Sequence, residues 1–329
     1  MPVSRLRPAS TGRAMRFAAA TLICGLAAFP ATSRAADWRS EIGTFRIAIA
    51  TPPGRGSAVP QLEPFRLAVQ EALGVEAEIR ADADLGRFIV NQSDRPSEYL
   101  VLPASAYAAI WLRCECIEPL VVAQSAAGDT AIRAVLITRK GSGVSTPADL
   151  ANRRVFGLSR NSLAGFAMAQ AAIASGGKDA DWRFEPDGET ALMKFAAGEG
   201  DAIAGWVPAG SRQGDGPAGT LARLRELGAD MGAYSVIWTS GDIPNRVHAV
   251  RKSLDGEAKR LLREMMLSLE SRDPVVYDAL EPDFSGGYAL ARQAQFTALL
   301  DFLAAGRQQG DAGQTSSDDG TDGSAPPGQ

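Results

Sequence analysis

The chain has 329 residues, 45% of them hydrophobic, with 34 Lys and Arg against 38 Asp and Glu and a formal net charge of −4. That length is ample for two α/β lobes, each with its own core. Residues 1–35 hold five arginines and no acid, so the remainder carries a formal charge of −9, which argues against nucleic acid or an anionic membrane as partner.

Arg5, Arg7, Arg13 and Arg16 precede an apolar run of 13 residues from Phe17 to Phe29, shorter than the roughly 20 that span a bilayer as a helix. Small Ser33 and Ala35 follow, so residues 1–35 read as a secretory signal peptide cleaved after Ala35, leaving the protein in the periplasm. Translation from either Met1 or Met15 gives a complete signal. Cys24 follows Thr21-Leu22-Ile23, a poor lipobox.

Phe45–Ala50 alternates with period two and reads as the first strand. A loop at Thr51–Ser57 follows, then a helix carrying Leu62, Phe65, Val69 and Leu73 up to Gly74. A strand at Val75–Arg80, a helix at Asp84–Val90 and strands at Tyr99–Leu102 and Leu120–Ala123 complete an open, largely parallel sheet. Between the last two strands, Cys114 and Cys116 flank Glu115 and either close a small disulfide ring or stay free. Metal binding by the pair is disfavoured, because the single histidine, His248, is far away in sequence.

Val135–Thr138 is a further strand, and Thr146 with Pro147 opens a short helix. The strand Arg154–Leu158 ends at Ser159-Arg160-Asn161-Ser162, directly before a helix over Leu163–Ala174. A polar turn at a helix N-terminus aims backbone N–H groups at whatever binds there, a natural site for a small anion. Strands at Trp182–Glu185 and Ala202–Trp206, a helix at Thr190–Ala197 and a Gly-rich excursion over Gly210–Gly219 come next. Val236–Ser240 reads as a strand returning to the first lobe, followed by helices at Gly256–Leu269, Pro274–Leu280 and Ala289–Ala304. From about Gly306 the chain is too polar to bury a core and reads as disordered.

No nucleophile elbow, zinc-protease helix, phosphate-binding loop or dinucleotide fingerprint occurs. His248 has no acid or nucleophile among its immediate sequence neighbours and reads as a structural residue. The chain is expected not to be an enzyme and to need no cofactor or metal.

Several stretches together resemble a known family. They are Leu102-Pro103-Ala104-Ser105-Ala106-Tyr107, Thr138–Gly143 with Pro147–Leu150, Asn161–Gly165, Ala196–Ala202 and Thr239–Pro244. Taken in this order behind a signal peptide, they are similar to the phosphate/phosphite/phosphonate-type periplasmic substrate-binding proteins of ABC importers. The resemblance implies an α/β, two-lobed periplasmic-binding-protein type II fold with two hinge crossings, near Leu136–Lys140 and Ile237–Ser240. Residues 36–138 and 239–305 would form one lobe, 139–238 the other, and 306–329 the acidic tail.

The implied function is capture of a small anionic solute, phosphonate- or phosphate-like or an amine-bearing relative, for an inner-membrane permease, by a monomer that does not bind nucleic acid. The alternative is an exported accessory or sensor protein that has lost transport. The resemblance places ligand contacts at Ser105, Tyr107, Asn161, Ser162 and Asp201. Where the family has Ser-Thr-Ser-Gly this chain has Ser162-Leu163-Ala164-Gly165, and Glu189 stands where a His is common, which would suit an amine on the ligand. Each residue also has a plain structural reading: caps for Asn161, Ser162 and Glu189, a turn for Asp201, a core aromatic for Tyr107. Trp206 and Trp238 would either stack in the cleft or fill a core.

Overall fold

The computed structural model describes residues 37–51, 59–211 and 216–306. The expected signal peptide, its cleavage point and the tail beyond residue 306 lie outside the described residues, as do most of the loop after Thr51 and part of the Gly210–Gly219 excursion.

A short helix, α1 (Trp38–Ile42), leads into β1 (Phe45–Ala50), α2 (Glu63–Leu73), β2 (Ala77–Asp82), α3 (Leu85–Asp94) and β3 (Tyr99–Leu102). Then come α4 (Ala104–Cys114), β4 (Ile117–Ala123), β5 (Ala131–Arg139) and β6 (Arg154–Gly157). A π-helical turn at Leu163–Ala167 runs into α5 (Met168–Ala174), followed by β7 (Asp181–Phe184), α6 (Gly188–Ala197), β8 (Ala202–Pro208) and α7 (Thr220–Glu226). The chain returns through β9 (Tyr234–Pro244), β10 (Val247–Arg251), α8 (Gly256–Arg272), α9 (Pro274–Leu280) and β11 (Tyr288–Leu290) to a final helix, α10, at 297–306.

The strands form two sheets, ordered β2-β1-β3-β10-β4-β11 and β7-β6-β8-β5-β9. In the first, β1 pairs in parallel with β2 and β3, while β10 runs antiparallel between β3 and β4. In the second, β6 lies parallel to β7 and β8, while β5 runs antiparallel to β8 and β9. The period-two pattern puts apolar residues on both faces of each sheet. Phe45, Ile47 and Ile49 of β1 with Tyr99 and Val101 of β3 join a core with α2, α8 and α9. Ala48, Ala50, Leu100 and Leu102 join the opposite core, with Phe88 of α3, α4, Phe296 and Leu299. The second sheet repeats the arrangement, with Val135 and Ile137 on one face and Leu136 on the other.

Several elements depart from the sequence expectation; the helix read over Ala289–Ala304 opens instead as strand β11, with α10 starting only at residue 297. Residues 104–114 form the buried helix α4, whose Ala-rich run is apolar on most sides and so shows no clear amphipathic period. Val247–Arg251 is an inner strand, β10, too short and too apolar to be told from a helical fragment by pattern alone.

The crossings between sheets also differ from the expected positions. Leu136–Lys140 and Ile237–Ser240 fall almost wholly inside β5 and β9, because both strands extend beyond their most apolar stretch and pair over most of their length within the second sheet. The chain changes sheets at 124–130 and at Asn245–Arg246. Asn245 is 7% exposed and its Nδ2 donates to Ala123 O at 3.0 Å and Asp129 O at 2.9 Å, clamping the two crossings side by side. Gly286 packs so closely on this region that a Cβ would fall 1.9 Å from Ser125 O.

Cys114 and Cys116 form a disulfide at the end of α4, with Glu115 between them in the left-handed region at φ 48°.

Candidate functional site

Open α/β sheets bind ligands outside the carboxyl ends of their strands. Such a cleft, about 640 Å³, lies where β1 ends at Ala50 and Thr51, and it is also lined by Asp84–Gly86 at the start of α3, by Pro103, by Asn161 and by Arg246. Pro103 immediately precedes α4, which has no side-chain cap, so the leading N–H groups of this 11-residue helix are available to an anion. Asp84 caps α3, accepting from Arg87 N at 3.0 Å.

Asn161 reaches the cleft from the second lobe. Next to it, Ser162 caps the π-helical turn, its Oγ accepting from Gly165 N at 2.8 Å. Only glycine fits at 165, since a Cβ would lie 2.8 Å from both Leu158 Cβ and Ser162 Oγ. The hydroxyl proton of Ser162 is left for a further acceptor. Ser105 is half-buried on the first turn of α4, two positions past Pro103.

Three expected contacts are placed elsewhere. Tyr107 is 0% exposed, packs on Phe296 at 4.4 Å between ring centroids, and donates to Gln293 Oε1 at 2.5 Å. Burial pushes its phenol above the ordinary range, and the side chain is part of the core because the helix it sits on is itself buried. Glu189 is exposed and paired with Arg223 at 2.7 Å, while Asp187 supplies the α6 cap by accepting from Thr190 N at 2.7 Å. Asp201 accepts from Arg154 N at 3.0 Å and sits 3.3 Å from Arg153 Nη1, joining the starts of β6 and β8. Asn161 follows the opposite end of β6, so Asp201 and the cleft are on different ends of the sheet. Of the two tryptophans, Trp206 is 38% exposed and Trp238 packs on apolar clusters.

Arg246 was not singled out from sequence. It is the basic side chain lining the cleft among the described residues, 17% exposed, with its Nε 3.4 Å from Glu281 Oε2. The signal was present: a cation directly before the strand residues Val247–Val250, just after Pro244. His248, by contrast, is buried as expected, with both ring nitrogens in hydrogen-bond contact. No group of three or more metal-ligating side chains occurs among the described residues, and none of the described helices is long and apolar enough to cross a membrane.

An uncapped helix N-terminus, an arginine and a polar turn from the facing lobe can together hold a small oxyanion. Comparison with known proteins identifies the family and the fold. Residues 52–296 match the family model for the periplasmic substrate-binding protein of phosphonate ABC transporters. A comparison with curated proteins finds no significant match. Among solved structures, XAC2383 from Xanthomonas citri bound to chloride ion is similar at TM-score 0.59 and 13% identity, over 82% of this chain and 99% of that one. PhnD1 from Prochlorococcus marinus in complex with methylphosphonate is similar at TM-score 0.52 and 12% identity, over 82% and 98%. A binding-protein component of an ABC phosphonate transporter from Pseudomonas aeruginosa gives TM-score 0.50 and 14% identity, over 79% and 85%. These likenesses give the two-lobed periplasmic-binding-protein type II fold. With the family model matching most of its length, the chain belongs to the non-enzymatic periplasmic substrate-binding proteins of phosphonate ABC transporters.

Proposed function

We propose that the chain, once cleaved after Ala35, is a monomeric periplasmic receptor that closes its two lobes over one small oxyanion of the phosphonate or phosphate type and delivers it to an inner-membrane permease. The observation that carries this reading is the convergence of Arg246, the uncapped start of α4 and Asn161 on one cleft. The closing motion would turn about the crossings at 124–130 and 245–246. The chloride and methylphosphonate named for the similar proteins are small anions of the size such a cleft admits.

A second reading concerns the solute's other end. Glu189 no longer supports an amine-bearing ligand, since Arg223 neutralises it. Asp84 does, because it lines the cleft and uses one oxygen in capping, leaving the other to meet an ammonium group.

Thermal-shift measurement of the mature chain against methylphosphonate, 2-aminoethylphosphonate, phosphite and phosphate tests the proposal. A ligand present at 100 times its dissociation constant adds about 2.7 kcal/mol of stability, so a clear rise in Tm with at least one of them is expected. Flat curves with all four would favour the sensor or accessory role over transport.

A further inference from the structure

Behind Arg246 the first lobe buries a chain of polar side chains. Glu281 has no exposed side-chain surface and follows α9 directly, at the end of the helix where a negative charge is disfavoured. Its Oε1 is 2.6 Å from His248 Nε2 and accepts from the Tyr288 hydroxyl at 3.4 Å. Its Oε2 has no hydrogen-bond partner among the described residues and faces Arg246 Nε at 3.4 Å. On the far side, His248 Nδ1 lies 2.7 Å from the Tyr99 hydroxyl.

With the Tyr99 hydroxyl donating to Nδ1 and Nε2–H donating to Glu281, both ring nitrogens are satisfied and the carboxylate stands beside the Arg246 guanidinium. Burial pulls the His248 pKa down and pushes that of Tyr99 well up, which agrees with a neutral imidazole and a protonated phenol.

A buried ionic group of this kind costs desolvation energy that a well-packed apolar substitute would not, so stability is a poor account of it. What it does supply is direction. No described side chain or carbonyl accepts from the Arg246 Nη groups, while Glu281 occupies the Nε side. We propose that Glu281, fixed by His248 and Tyr99, is a positioning residue that holds the Arg246 fork so that it engages two oxygens of the bound oxyanion. This rests on the cleft being the solute site. An oriented guanidinium gives planar two-point recognition, whereas a free one offers charge alone.

The sign of one variant's effect decides the matter. Removing a negative charge 3.4 Å from the guanidinium would by Coulomb attraction alone tighten anion binding, whereas losing the orientation weakens it. Calorimetric titration of methylphosphonate into the mature chain should therefore give about tenfold weaker binding for Glu281→Gln. The same substitution added to Arg246→Gln should have no further effect. Tighter or unchanged binding, or an equal loss without Arg246, would overturn the proposal. If Glu281→Gln does not fold, Tyr99→Phe takes its place with the same expected direction, and unchanged affinity would count against positioning. A separate readout covers the case in which the wild type binds neither methylphosphonate nor phosphate, so that the solute assignment fails. The ¹⁵Nε order parameter of Arg246 should be high in the wild type and fall in the Glu281 variant. A low order parameter in the wild type would refute the orientation itself.

Discussion

At Ser162 the hydroxyl accepts from Gly165 N at 2.8 Å, and its chain neighbour Asn161 lines the cleft. Ser162→Ala should cost about 0.5–2 kcal/mol of stability as a lost cap, and also weaken methylphosphonate binding severalfold. A stability loss with unchanged affinity would reduce Ser162 to a cap. Tyr107 provides the contrast. Tyr107→Phe leaves Gln293 Oε1 without its donor, so stability should fall by about 1–3 kcal/mol while affinity stays the same. Denaturant melts paired with calorimetry separate the two cases. The turn at Asn161 and Ser162 was legible because a strand, a polar turn and a helix follow one another within a few residues. Arg246 was not, since its partner Glu281 and the helix starts it faces come from distant parts of the chain.

Most strands and helices could be read from period and punctuation, and the two-lobed arrangement from the family resemblance. The sheet crossings could not. β5 and β9 keep pairing past their most apolar residues, through Arg133 and Asp242, so apolarity marked only the middle of each strand. The crossings are fixed instead by Asn245, whose amide bonds to both. Asn245→Ala should cost about 1–3 kcal/mol, since it leaves the buried carbonyl of Ala123 and that of Asp129 without this donor. A loss of only a few tenths in a urea melt would show that the crossings hold without the clamp. The Cys114–Cys116 disulfide closes a very short loop, so loop-closure entropy assigns it only about 1–2 kcal/mol. Replacing both cysteines with serine should leave the fold and anion affinity in place, and a collapse of either would mean that the ring holds α4 and its N-terminus in position.

Over the whole molecule, the buried histidine links stability to pH. Its folded pKa is held below the ordinary 6.5 by burial, so the unfolded chain takes up a proton here that the folded chain refuses. The stability due to a neutral His248 is therefore complete above about pH 6.5 and is lost as pH falls below that value. The facing groups are Tyr99 from β3, Tyr288 from β11, Glu281 after α9, and Arg246 through Glu281. Melting temperature should decline between pH 7 and pH 5, and His248→Gln should flatten that decline; an identical slope in both proteins would assign it to other groups. The central claim is that a small oxyanion binds between the lobes against Arg246. Isothermal titration of methylphosphonate and phosphate into the mature wild-type chain and Arg246→Gln tests it most directly. Saturable one-to-one binding to at least one of them in the wild type, weakened tenfold or more in the variant at a temperature where both proteins are folded, is the expected result. Binding of equal strength in both proteins, or none in the wild type, would contradict it.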